Sequence, residues 1–172
     1  MSTSHTLAGQ EPFVLAAQEG THFHFLNHLA TVKVAAGGDR SMSVVEFSAP
    51  EGFGPPVHRH DDEDELFVVF DGELVFFVGD ERLVGGPGAV AYLPRTLPHS
   101  FQVTSHMARF VTVTASPDGP PRFDQMVAAL GVPTSSPTLP EPGPVDPAEV
   151  AEVCARFGIP ILGPPPAAVN PR

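Results

Sequence analysis

The chain has 172 residues, 42% of them hydrophobic, at a mean hydropathy of +0.05, which is enough for one domain with a sizeable core. Nine Lys and Arg against 20 Asp and Glu give a formal charge of −11 and a pI near 4.9, which argues against nucleic acid and anionic membranes, since both call for a basic surface. No apolar run approaches a membrane span. The N-terminus has no basic region followed by an apolar core, and the lone Cys154 can form no internal disulfide, so a cytoplasmic protein is expected. Richness in Ala, Gly, Pro and Val with few lysines suits a high-GC bacterium.

Twenty-one prolines and sixteen glycines point to many turns and short strands. Residues 1–20 read as an irregular arm with a short strand around Phe13–Ala16. In the THFHF run that follows, His22 and His24 alternate with Phe23 and Phe25, the pattern of a half-buried strand with its phenylalanines inward. His28 lies nearby, but no carboxylate or cysteine falls at matching spacing, so a second metal site is not expected here. Leu29–Val34 and Ser41–Phe47 read as strands joined by a Gly37-Gly38-Asp39 turn. Ala49–Pro56 is a connection whose Pro55-Pro56 belongs at an edge or rim.

The stretch from Gly52 to Gly72, GFGPPVHRHDDEDELFVVFDG, carries the chemistry. His58 and His60, two residues apart, share one face of an extended segment. Glu65 follows a short acidic loop and opens the strand Leu66–Phe70. Two imidazoles and a carboxylate suit a transition metal with positions left open. Asp71-Gly72 signals a two-residue hairpin to Glu73–Val78. Pairing Phe70 with Glu73 places Glu65, Phe67, Val69, Leu74, Phe76 and Val78 on one face. A bare carboxylate in that apolar company is costly unless a cation neutralises it. The other face, Leu66, Val68, Phe70, Val75 and Phe77, is also apolar and needs a cover, from the N-terminal strands or a second subunit.

Gly79-Asp80 makes a turn into Glu81–Val84, Gly85–Gly88 another into Ala89–Leu93, and the loop Pro94–Pro98 delivers His99. Period two puts His99, Phe101 and Val103 inside and Ser100, Gln102 and Thr104 outside. Arg109–Thr114 closes the β region, with His106 exposed in the preceding turn. Beyond Ala115, Arg122–Leu130 has helical apolar spacing stopped by Gly131. Val132–Val145 is an extended connector. Asp146 caps a second helix, with Pro147 in its first turn and Glu149 at the capping-box position. Val150, Val153, Cys154 and Phe157 form its stripe, which makes Cys154 a packing residue. The final IPILGPPPAAVNPR is extended and could strap the body of the protein.

The residues around the histidines resemble the two motifs of the cupin superfamily. Gly52, His58, His60, Glu65 and Gly72 match every fixed position of the first, and Gly88, Pro94 and His99 match the second. Thr96 replaces a glycine of the second motif, and Val103 stands where Asn is expected. The resemblance implies an all-β fold, a double-stranded β-helix (jelly-roll) barrel with a short C-terminal helical extension. It also implies one divalent transition metal (Fe, Ni, Mn, Co, Cu or Zn) held by His58, His60, Glu65 and His99. The expected organisation is one domain: an N-terminal arm and strands over 1–40, a barrel core over 41–115 and a helical, Pro-rich extension over 116–172.

The inferred pocket walls, Phe67, Val69, Leu74, Phe76, Phe101 and Val103, favour a flat, hydrophobic organic substrate. GPPVHRHDDEDELFVVFDGEL and LPRTLPHSF are similar to stretches of quercetin 2,3-dioxygenase-type cupins. That resemblance implies a dioxygenase acting with O2 on a flavonol-like enediol, Glu65 serving as general base, and a homodimer. The alternatives are a metal-dependent polyketide cyclase or isomerase of secondary metabolism that needs no O2, and a non-catalytic metal- or small-molecule-binding cupin.

Overall fold

The computed structural model describes residues 11–38 and 40–169. Ten strands come first: β1 (Thr21–Phe25), β2 (His28–Val34), β3 (Met42–Pro50), β4 (Val57–His58), β5 (Asp64–Asp71), β6 (Leu74–Val78), β7 (Glu81–Gly85), β8 (Val90–Leu93), β9 (His99–Val103) and β10 (Met107–Ala115). Helix α1 (Phe123–Leu130), β11 (Val132–Thr134), α2 (Pro147–Arg156) and β12 (Ile161–Gly163) follow. A seven-stranded sheet runs β11-β1-β2-β3-β10-β5-β8 and a five-stranded sheet runs β12-β4-β9-β6-β7, with every pairing antiparallel. The fold is a jelly roll of two facing sheets with two short helices. No described helix is long and apolar enough to cross a membrane.

The alternation that marks each strand puts its apolar side chains between the sheets. Phe47, Phe67, Phe76, Phe101 and Phe110 are buried there, and their rings meet across the interior at centroid distances such as 5.2 Å (Phe67–Phe76) and 5.3 Å (Phe101–Phe110). Burying each ring contributes roughly 2–3 kcal/mol, and favourable ring geometry adds to it.

Two expectations are corrected here. Asp71-Gly72 does not close a hairpin. β5 pairs with β10 and β8, whereas β6 pairs with β7 and β9, so the turn carries the chain from one sheet to the other. Gly72 has φ +79°, and a Cβ there would run into the Met107 carbonyl, so the crossing needs glycine. The inward set survives, because facing sheets bury the same alternate positions that a hairpin would. Residues 11–16 form no strand; they lie exposed.

Among the described residues the outer apolar face is covered only in part. Val75 is buried, Leu66, Val68 and Phe77 are half-buried, and Phe70, Val90 and Tyr92 are exposed. β9 is buried on both faces. Ser100 Oγ donates to the Pro55 carbonyl (2.7 Å), Thr104 Oγ1 to Glu73 (2.8 Å), and Gln102 Oε1 accepts the Val169 amide (2.6 Å).

The C-terminal extension is woven into both sheets. β11 pairs with β1, and β12 pairs with β4, setting Ile161 opposite His58. The predicted Asp146 cap forms, accepting from the Ala148 amide (2.9 Å), and Pro147 opens α2. Gly131 ends α1 for a reason other than left-handed backbone. Its φ is −85°, and a Cβ would come within 2.7 Å of Phe23 Cβ.

Candidate metal centre

β4 carries His58, His60 follows it, Glu65 lies at the start of β5 and His99 opens β9. The pairing of His58 with His99 joins the two histidine motifs in one sheet, while Glu65 reaches across from the other. One ligand atom from each of the four lies within 4.8 Å of the others. Glu65 Oε2 stands 3.1 Å from His99 Nε2 and 3.7 Å from His60 Nε2. Glu65 Oε2 and His99 Nε2 approach to hydrogen-bond distance, yet neither they nor His60 Nε2 makes a well-formed hydrogen bond among the described residues, and all three are sealed from solvent. Buried polar atoms left in that state are costly, and a cation at their centre would satisfy all three.

The remaining ring nitrogens are held from behind. His58 Nδ1 donates to the Pro56 carbonyl (2.8 Å) and His99 Nδ1 to the Leu97 carbonyl (2.9 Å). A carbonyl can only accept, so each bond puts the ring proton on Nδ1 and leaves the Nε2 lone pair facing the centre. His60 Nδ1 faces Glu63 Oε2 at 3.4 Å. Three imidazole nitrogens and one carboxylate oxygen fit a first-row transition metal with one or two positions left open.

The charges respond to one another. Burial, then the neighbouring His99 and His60 rings, hold His58 down to about 3. Burial opposes charge on Glu65 as well, but the His60 and His99 rings outweigh it and bring the carboxyl down to about 2. His60 is raised: burial works against its charged form, and Glu65 and Glu63 prevail.

A cavity of about 70 Å³ opens beside the centre. His58, Glu65, Phe67 and Phe101 line it from the barrel; Phe25, His28, Phe47, Phe53 and Thr112 extend that wall; Phe123, Met126, Val150, Cys154, Ile159 and Ile161 close it from the C-terminal extension. Of the walls expected from the sequence, Val69, Leu74, Phe76 and Val103 are buried but do not reach this space. Their side chains meet those of the opposite sheet and fill the interior.

Sequence reasoning missed Glu63 and His28. Glu63 is buried, although it sits in an acidic run that reads as solvated; its spacing of three from His60 was the available signal. His28 is 2% exposed, its ring centroid 3.9 Å from that of Phe53. Burial pushes its pKa down to about 3, so it is neutral. His22 and His24 are half-buried, and His106 is exposed.

Residues 45–114 match the family model described as Cupin domain (Cupin_2), a span that holds all four candidate ligands. Over that span the barrel is similar to cupin domains. A quercetin 2,3-dioxygenase of Bacillus subtilis (strain 168) is 31% identical over 113 residues, 64% of this chain and 34% of its own length. This chain therefore spans about a third of that relative. Among solved structures, KdgF from Halomonas sp. aligns with a TM-score of 0.55 at 12% identity over 62% of this chain and 94% of its own. An RmlC-like cupin from Shewanella frigidimarina aligns at 0.53 and 16% over 63% and 93%. At those identities the likeness is one of fold.

Proposed function

We propose that this cupin is a metal-dependent dioxygenase acting on a compact aromatic or enolic molecule. The observation that carries the reading is the convergence of four ligand atoms, within 4.8 Å of one another, at the end of an apolar cavity. The likeness to a quercetin 2,3-dioxygenase supports the reaction class. His58, His60, Glu65 and His99 would hold one divalent transition metal. Bound there, it would supply Lewis acidity and a place for substrate and O2 to meet.

The chain's own residues do the rest. Glu65 is both buried beside the metal position and part of the cavity wall, so a substrate hydroxyl entering the cavity meets its carboxylate. It takes the hydroxyl proton as the substrate seats. Phe25, Phe47, Phe53, Phe67, Phe101 and Phe123 sandwich a flat ring and exclude water. Size narrows the substrate. Drug-sized ligands occupy pockets of roughly 300–1,000 Å³, so a flavonol enters this cavity only if α1 and α2 move outward, whereas a single-ring enol needs less displacement.

Elemental analysis of protein purified without added metal, followed by oxygen uptake with quercetin and with smaller catechols and enediols, tests the reading. One transition metal per chain and O2 consumption are expected. Metal without O2 uptake on any of these would shift the assignment to the oxygen-independent cyclase or isomerase. No metal after reconstitution would leave a binding module.

A cytoplasmic homodimer completes the proposal. A second copy would cover the outer face where Phe70, Val90 and Tyr92 lie exposed beside half-buried Leu66 and Val68. A stable monomer by sedimentation at micromolar concentration would count against it.

A further inference from the structure

We infer that Glu63 is a positioning residue that orients His60 toward the metal and ties that ligand to the C-terminal wall of the cavity. The inference rests on the metal reading above and extends it to a residue outside the ligand set.

Glu63 is 4% exposed, and its two carboxylate oxygens have different partners. Oε2 faces His60 Nδ1 at 3.4 Å, and Oε1 accepts the backbone N–H of Arg122. Arg122 is the residue from which α1 starts, and α1 supplies Phe123 and Met126 to the cavity wall. The Phe123 ring lies 5.8 Å from the His60 ring, centroid to centroid. One side chain thus fixes a ligand's ring and the first turn of the helix that packs on it.

His58 and His99 have backbone carbonyls behind them; His60 alone of the three has a side chain. A carboxylate only accepts, so both its partners donate: His60 through Nδ1–H, which leaves Nε2 free for metal, and Arg122 through its amide. Glutamine has nearly the same shape but one donor end and one acceptor end. If its oxygen keeps the Arg122 amide, its NH2 meets His60 Nδ1 and the ring must carry its proton on Nε2, where metal belongs. If it turns round, its NH2 opposes the Arg122 N–H. The first arrangement costs His60 the tautomer that metal binding needs, and the second costs the bond to Arg122.

The test is Glu63→Gln against wild type, with Zn2+ as the probe. Chelator-competition titration should give 10- to 100-fold weaker Zn2+ binding in the variant. Long-range proton–nitrogen NMR should place a slowly exchanging proton on His60 Nδ1 in zinc-loaded wild type and not in the variant. Amides of residues 122–130 should exchange faster in the variant. Affinity within twofold of wild type together with a retained Nδ1–H would overturn the inference. Should Glu63→Gln fail to fold, the wild-type spectrum decides alone: a His60 ring protonated on Nε2 overturns the inference, and a slowed Nδ1–H upholds it. A wild type that takes up no zinc would defeat the metal reading itself; the tautomer seen in metal-free protein would still decide whether Glu63 fixes the ring.

Discussion

Thr96 is a β-branched residue with φ +65°, in the position where the second cupin motif has glycine. Left-handed backbone costs a side-chain-bearing residue roughly 1–2 kcal/mol. It persists here because the Thr96 amide is tied to the His60 carbonyl (2.7 Å), which joins the loop before His99 to the other histidine motif. Thr96→Gly should relieve the backbone at some cost in unfolded-chain entropy, for a net gain of about 0.5–1 kcal/mol. Urea denaturation midpoints would measure it, and an unchanged or lower midpoint would deny the strain. At the same scale, His58→Ala or His99→Ala should lose most bound metal by elemental analysis; full retention in both would mean a different ligand set. The histidine spacings were legible because a period of two puts His58 and His60 on one face whatever the strand pairs with. Glu63 was not: all five residues Asp61–Glu65 are acids, and only the fold distinguishes the buried Glu63 from exposed Asp62.

Among the elements, strand existence was readable and strand partnership was not. β5 and β6 have the alternation of a hairpin and a turn to match, yet they belong to different sheets. In–out periodicity reports which side chains face the interior and carries no information on which backbone supplies the hydrogen bonds. The β1–β2 turn was also hidden. Leu26 and Asn27 both have positive φ, and Asn27 is pinned by reciprocal bonds to the Gly143 backbone (2.9 Å each), a contact from far along the chain. The end of α1 offers a test at this scale. Gly131 packs against β1 with no room for a methyl group between Phe23 Cβ (2.7 Å) and the Val127 carbonyl (2.8 Å). Gly131→Ala should cost about 1–3 kcal/mol, because neither neighbour is a movable side-chain end. Gly86→Ala, with nothing within 4 Å, should be close to neutral. Equal thermal midpoints for the two variants would show that α1 is not held tightly to β1.

Taken whole, the molecule buries its polar chemistry at one end of an aromatic interior, and that shapes its response to acid. His28 is neutral in the folded protein, with burial holding its pKa near 3 against an ordinary 6.5. Between those values the unfolded chain binds a proton that the folded chain refuses. The stability His28 permits is therefore present above pH 6.5 and is lost as pH falls toward 3. In metal-free protein the melting temperature should drop across that range, and His28→Phe, which keeps a ring among Phe25, Phe47 and Phe53, should reduce the slope. His58, shifted the same way, keeps part of it. An identical slope in the variant would mean that His28 gains its proton without unfolding.

The antiparallel pairing of β12 with β4 also has a bearing on how the protein is made. Synthesis runs from the N-terminus, so the segment with His58 and His60 leaves the ribosome about a hundred residues ahead of Ile161. At roughly 5–20 residues per second that is a wait of about 5–20 seconds. Once β9 has followed, and until β12 arrives, the β4 segment has β9 to one side and an open backbone edge on the other, with two candidate ligand rings still uncovered. The last stretch of described chain then closes that edge and the mouth of the cavity together. An ion reaching the chain while it is still being translated would therefore meet a more open centre than one arriving at the finished molecule.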